Sequence, residues 1–173
     1  MKTVLQRLSA GGEGDRSLGA ANAIAGEALR DASVVKELVA ALGGEGRVQV
    51  RAANALKKVA TKDAERLRPY GKKILRAALK SEELKATWNL TIMLSKIGLM
   101  GDERAVAIDF LFEGLRSASG LQRTLSMQGL ADFAMTDAGL RRRVLPVVEE
   151  FEATGTPAMR ARARMLIKAM RAR

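Results

Sequence analysis

The residues of this chain whose types and spacing could do chemistry are the lysines and arginines of residues 47–73. That stretch reads RVQVRAANALKKVATKDAERLRPYGKK and carries nine Lys or Arg against two acids. Cations at this density bind anions such as carboxylates and phosphates. Over residues 47–80 the balance is eleven to two, and over 155–173 it is six to none. The formal net charge of +11 therefore arises from these two blocks.

The residues that most enzymes and metal sites need are missing from the sequence. The chain contains no His and no Cys. This excludes a hydrolase with a histidine base, a thiolate nucleophile, and a zinc site with imidazole or thiolate ligands. The carboxylate pairs Glu82–Glu83 and Asp102–Glu103 stand at expected helix starts, where the helix dipole accounts for them. We therefore predict that the protein is not an enzyme and uses no cofactor and no metal.

Length and hydropathy set the expected organisation. A chain of 173 residues is long enough for one domain with a sizeable core, so we expect a single domain over 1–173. The start, MKTVLQRLSAGG, lacks the apolar run of a signal peptide, and no stretch of membrane-spanning length is uninterruptedly apolar. The sequence thus predicts a soluble, cytoplasmic protein with no membrane association.

The elements that position the basic residues are expected to be helices. Hydrophobic residues make up 47% of the chain but aromatic residues only 3%, which favours closely packed helices over a sheet. Pro69 and Pro146 are expected to open helices, and Thr156 to cap a helix that begins with Pro157. Apolar periodicity and glycine punctuation predict helices over 17–30, 33–43, 47–61, 69–80, 83–97, 102–117, 121–135, 138–153 and 157–171, with a short one in the first ten residues.

Similar segments recur along the chain. AANAI at 20–24 returns as AANAL at 52–56, a spacing of 32, and WNLTIML, SMQGLADF and RARMLIKAM follow. Units of 32–39 residues are typical of two-helix repeats. The chain resembles HEAT-repeat proteins, whose first-helix pattern is matched by Val48, Ala52, Ala55, Leu56 and Val59. The family's arginine is matched by Arg123 and Arg160, whereas Gln49 takes its place in the second repeat. The resemblance implies an all-α fold, an α-α superhelix of about four to five helix pairs in one curved domain.

A helical projection predicts where the basic side chains point. At about 100° per residue, those of the two blocks collect on single faces of their helices, away from the apolar stripes. Asn22 and Asn54 occupy equivalent positions in two first helices. We expect them either to line a groove beside the basic face or to serve in packing or hydrogen bonds between repeats. The candidate binding residues are Arg47, Arg51, Asn54, Lys58, Lys62, Lys72, Lys73, Arg76, Arg160, Arg164 and Lys168. The alternative for the charged residues is a solvated helix face without a ligand.

The function indicated is binding. The resemblance and the charge together predict a non-catalytic scaffold that recognises an acidic or polyanionic partner through basic helices, with an acidic protein as the first choice. DNA binding is the alternative, because a pI near 10.5 suits phosphate contacts. Some HEAT-like proteins are DNA glycosylases with an aromatic cage, but one Trp and one Tyr do not assemble such a site. No small-molecule substrate is indicated.

Overall fold

The computed structural model describes residues 2–10 and 17–173, and within these ranges it contains only helices and no strand. This confirms the all-α prediction for the part of the chain described. The α-helices are α1 (Val4–Ser9), α2 (Ala21–Ala28), α3 (Ala32–Ala41), α4 (Gly46–Lys62), α5 (Gly71–Lys80), α6 (Leu84–Leu94), α7 (Gly101–Gly114), α8 (Gly120–Ala134), α9 (Ala138–Thr154) and α10 (Pro157–Arg171). A 3-10 helix, Ala64–Tyr70, lies between α4 and α5.

Side-chain caps fix several helix starts. The Asp31 carboxylate accepts from the backbone N–H of Ser33 at the start of α3, and the Ser119 hydroxyl accepts from Gln122 at the start of α8. The Thr156 hydroxyl accepts from the N–H of Met159, and Pro157 is the first residue of α10. The predicted cap and first-turn proline at Thr156 and Pro157 are thereby confirmed.

Three helix boundaries differ from the predicted ones. The helix expected from residue 17 begins at Ala21, because Gly19 has φ +49°, outside the helical region. The prediction that Pro69 opens a helix is wrong, since this residue lies within the 3-10 helix and α5 begins at Gly71. Pro146 also opens no helix and lies inside α9. It is exposed, so solvent can satisfy the carbonyl that loses its N–H partner in the preceding turn.

The chain divides into two compact units, Met1–Glu103 and Arg104–Arg173. The expectation of a single domain over 1–173 stays a prediction.

In the first unit α4 is the central element. It packs against α2 on one side and α6 on the other, and α1 and α3 also contact it. The apolar stripe predicted for this helix is buried, with Ala52, Leu56 and Val59 fully enclosed. Burial of this stripe fixes the rotation of α4, and with it the direction of every polar side chain on the helix.

One glutamine side chain joins three successive parts of the first unit. The amide nitrogen of Gln49 in α4 donates to the carbonyl oxygen of Leu42 at the end of α3, 3.0 Å away. Its amide oxygen accepts from the hydroxyl of Ser81, which follows α5, also at 3.0 Å. Gln49 thus ties the connection that precedes α4 to the one that follows α5.

The second unit is built on α8, α9 and α10, which contact one another. Arg104 donates to the carboxylate of Asp137 at 2.8 Å and lies over the ring of Phe133, with the guanidinium carbon 5.4 Å from the ring centre. Asp137 also caps α9 by accepting from the N–H of Leu140. Arg104 therefore links the start of α9 to a ring on α8.

Across residues 2–10 and 17–173, every helix falls short of the length and apolar character required to cross a membrane.

Candidate anion-binding surface

The basic face of α5 consists of four cations on one side of a ten-residue helix. Lys72, Lys73, Arg76 and Lys80 are all exposed. None of them forms an ion pair or a side-chain hydrogen bond with a described residue. Because no ion pair holds them, these cations can bind an anionic ligand.

The sequence of α5 determines this orientation. The apolar residues Ile74, Leu75 and Ala78 are buried and anchor one side of the helix against the unit. The intervening positions then point outward, as the 3.6-residue period requires. Leu79 lies seven residues after Lys72 on the same outward side and is 51% exposed. The basic face therefore contains an exposed apolar side chain among its cations.

A groove of about 800 Å³ borders the basic face. Lys73, Arg76 and Lys80 line it from α5, and the turn of residues 43–45 and the first residue of α4, Gly46, line it from the other side. Three carboxylates also contribute to the lining, those of Glu45, Glu82 and Glu83. No ion pair joins these acids to the lysines and the arginine across the groove in the described part of the unit. The groove thus offers both signs of charge to a ligand.

Arg51 is not on the exposed basic face predicted for α4. The side chain is buried, with 1% of its surface exposed. The guanidinium donates to the carbonyl oxygens of Leu8 at 2.7 Å and Ser17 at 3.0 Å, and to that of Ala10. Because α1 packs against α4, it covers this position. The predicted exposure of Arg51 is therefore wrong, and the residue ties the N-terminal part of the unit to α4.

The other predicted cations of α4 lie at different depths. Arg47 and Lys58 are half-buried, and Lys62 is exposed. Lys58 and Lys62 line a pocket between α2 and α4, together with Lys57, which the projection did not single out. Burial lowers the pKa of Lys57 below the usual lysine value, and the nearby charge of Lys58 is a second, smaller cause of this shift. Its position directly after the buried Leu56 was the available sequence signal, because a residue at the edge of an apolar stripe is partly covered.

Asn54 is buried rather than part of a surface, with 7% of its area exposed. Its amide nitrogen donates to the amide oxygen of Asn89 on α6, at 3.5 Å. This agrees with the hydrogen-bonding alternative for Asn54, whereas Asn22 is exposed. Sequence reasoning missed Asn89, the partner of Asn54, which lies 35 positions later in the chain.

The predicted residues of α10 belong to the second unit. Arg160, Arg164 and Lys168 are exposed on one side of the helix. Arg164 and Lys168 line a shallow surface pocket with Glu152, and Arg171 at the end of the helix pairs with Glu149 at 2.6 Å. Acids from α9 thus lie beside the cations of α10, and one of them forms an ion pair, whereas no cation of the α5 face does.

Within the described ranges, no group of three Asp or Glu side chains is arranged to hold a metal ion.

No family model matches the chain, and no curated protein or solved structure matches it.

Proposed function

We propose that the protein is a non-catalytic, HEAT-repeat-like binding protein that recognises an acidic protein partner through basic helices. The observation that carries the proposal is the basic face of α5, where Lys72, Lys73, Arg76 and Lys80 are exposed without an acidic neighbour in an ion pair. Like charges three and four residues apart on a helix repel one another, at a cost of about 0.2–0.5 kcal/mol per pair. Carboxylates from a partner would remove this repulsion.

A superhelix of helix pairs is part of the proposal. Support comes from the side-by-side packing of α2, α4 and α6, the helices that carry the recurring segments of the first three repeats. The bond between Asn54 and Asn89 joins two of these helices, α4 and α6. In an α-solenoid each repeat contacts its neighbours in this way and the stack presents an extended surface to partners.

An acidic protein fits the surface better than a nucleic acid. The exposed Leu79 within the basic face offers an apolar contact that a phosphate backbone would not use. The groove beside the face also presents Glu45, Glu82 and Glu83, which could pair with cations of a protein partner but not with a phosphate backbone. A folded protein can supply carboxylates, cations and an apolar side chain together.

The test is reversal of the four charges of the basic face. The variant carries Lys72→Glu, Lys73→Glu, Arg76→Glu and Lys80→Glu, all at exposed positions, so the fold is expected to survive. Binding to polyglutamate and to duplex DNA is measured by fluorescence anisotropy over a range of salt concentrations. We expect the wild type to bind polyglutamate and the variant to lose that binding.

A matched control reverses four exposed charges outside the candidate binding residues. Lys2→Glu, Lys36→Glu, Lys96→Glu and Arg142→Glu lower the net charge by the same amount but leave α5 intact, and binding should persist. Equal loss in both variants would contradict the proposal, because only net charge would then matter. Tighter binding to DNA, with a slope of log affinity against log salt of about −0.9 per phosphate, would favour the nucleic-acid alternative instead.

A further inference from the structure

We propose that the pocket between α2 and α4 receives an apolar side chain from an acidic segment of the protein partner, an inference that rests on the proposed function. The pocket measures about 400 Å³, within the size range of ligand sites. Its apolar part is lined by Ala25, Gly26 and Leu29, from α2 and its C-terminal end. Lys57, Lys58 and Lys62 line it from α4.

Gly26 has no role in packing that would account for it. It lies inside α2, where glycine costs about 0.5–1 kcal/mol relative to alanine. A Cβ atom at this position would meet no described neighbour within 4 Å, so no close contact explains why the residue is a glycine. The glycine instead keeps the pocket open. A helix-weakening residue without a gain in packing is the kind of local conflict that marks a functional position.

The charge around the pocket points to an anionic ligand. No acidic residue is among its lining residues. None of the three lysines forms an ion pair with a described residue. The lowered pKa of Lys57 reflects burial and the nearby charge of Lys58, and both effects disfavour the charged amine. A carboxylate at the mouth of the pocket would offset them.

The combination of an apolar lining and a cationic border selects one kind of occupant. A purely polar polyanion would leave the partly exposed Leu29 without an apolar contact. An uncharged apolar group would leave the three lysines uncompensated. A bulky apolar side chain flanked by Asp or Glu satisfies both, and the volume of about 400 Å³ admits a phenylalanine or leucine side chain. The partner segment is therefore expected to be acidic with one apolar anchor.

Two fluorescent peptides test this directly. One consists of glutamates with a single central phenylalanine, and the other has serine in place of the phenylalanine. Burial of the ring should make the phenylalanine peptide bind the wild type about tenfold or more tightly. Gly26→Leu, which fills the pocket from α2, should reduce this ratio to about one while leaving the binding of the serine peptide unchanged.

The controls separate pocket filling from changes in the helix. Ala23→Leu adds the same side chain to an exposed position of α2 that does not line the pocket, and it should preserve the ratio. Gly26→Ala adds only a methyl group and should lower the ratio partly. It keeps the test valid if the leucine variant does not fold. Circular dichroism checks the helicity of each variant.

Several results would overturn the inference. If both peptides bind the wild type equally, the pocket is not used, although the proposed function stands. A ratio that survives Gly26→Leu in a folded variant would place the ring elsewhere. Tighter binding of hexanoate than of the phenylalanine peptide would make the occupant a small amphipathic carboxylate. If neither peptide binds, the proposed function itself fails.

Discussion

The guanidinium of Arg51 donates a hydrogen bond to the carbonyl oxygen of Leu8, 2.7 Å away and 43 positions earlier in the chain. The same side chain also binds the carbonyl oxygens of Ala10 and Ser17. It therefore holds the chain on both sides of residues 11–16 to α4. A charged side chain can be buried at this point because backbone carbonyls replace the water it loses.

Arg51→Met should destabilise the first unit by about 3 kcal/mol or more. Methionine keeps much of the apolar volume but donates no hydrogen bond, and each buried hydrogen bond to a charged group contributes about 1.5–3 kcal/mol. Urea denaturation measures the loss. Arg160→Met, at an exposed position of α10, is the control and should change the free energy of unfolding little. Equal stability of the two variants would contradict the role assigned to Arg51.

Two glycines should respond to alanine with opposite signs. Gly19 has φ +49°, and a Cβ there would lie 3.0 Å from the guanidinium carbon of Arg51. Gly19→Ala should therefore cost about 1–2 kcal/mol from backbone strain alone. Gly26→Ala should instead stabilise the fold by about 0.5–1 kcal/mol, because it strengthens α2 without a clash. Thermal denaturation of both variants measures the signs, and a loss at Gly26 would show that its site is less open than described.

Acid should weaken the start of α9 through Asp137. The hydrogen bond from the backbone N–H of Leu140 is the main cause that lowers the pKa of this carboxyl. The hydrogen bond from the Arg104 guanidinium is the second cause. Its contribution to stability is thus present above the pKa of an unfolded Asp and is lost as the pH falls through the lowered value. Asp137→Asn should be less stable than the wild type at neutral pH, and the difference should shrink on acidification.

Denaturation curves at a series of pH values, with amide exchange at Leu140, measure this difference. Asp109→Asn is the matched control, because it removes the same charge from an exposed residue of the same unit for which no partner is described. A difference in the free energy of unfolding between the wild type and Asp137→Asn that does not change with pH would contradict the charge-based explanation.

Lys57 should titrate below the usual lysine pKa. Burial is the larger cause of its lowered pKa and the charge of Lys58 the smaller. Reductive methylation with carbon-13 followed by NMR titration gives the pKa of each amine, with Lys57→Arg to assign the signal. Lys58→Ala should raise the pKa of Lys57 only partly, because the effect of burial remains. Full recovery of the usual lysine value would make the charge of Lys58 the main cause.

The outward direction of the α5 cations was predictable from the sequence, and the direction of Arg51 was not. On α5 the apolar residues Ile74, Leu75 and Ala78 define one buried side, and the cations between them remain exposed. On α4 the same period places Arg51 off the apolar stripe, but α1 and Ser17 cover that position. Helical periodicity describes neighbours on one helix and carries no information about contacts 34 or 43 residues apart.

The α2–α4 pocket also lies beyond what the sequence could indicate. Gly26 and Lys57 come from different helices, and only the packing of α2 against α4 brings them to one cavity. The 3-10 helix at Ala64–Tyr70 was missed because its sequence, AERLRPY, has no apolar periodicity to distinguish it from a loop before Pro69.

The amide of Gln49 has a consequence for how the chain can vary in length. Its nitrogen donates to Leu42 and its oxygen accepts from Ser81. Turning the amide group by 180° would therefore break both hydrogen bonds. An insertion between Leu42 and Gln49 would separate the amide nitrogen from the Leu42 carbonyl, and one between Gln49 and Ser81 would separate the amide oxygen from the Ser81 hydroxyl. Related chains that retain this glutamine should therefore keep both intervals constant. Changes in length should accumulate in connections that no side chain spans.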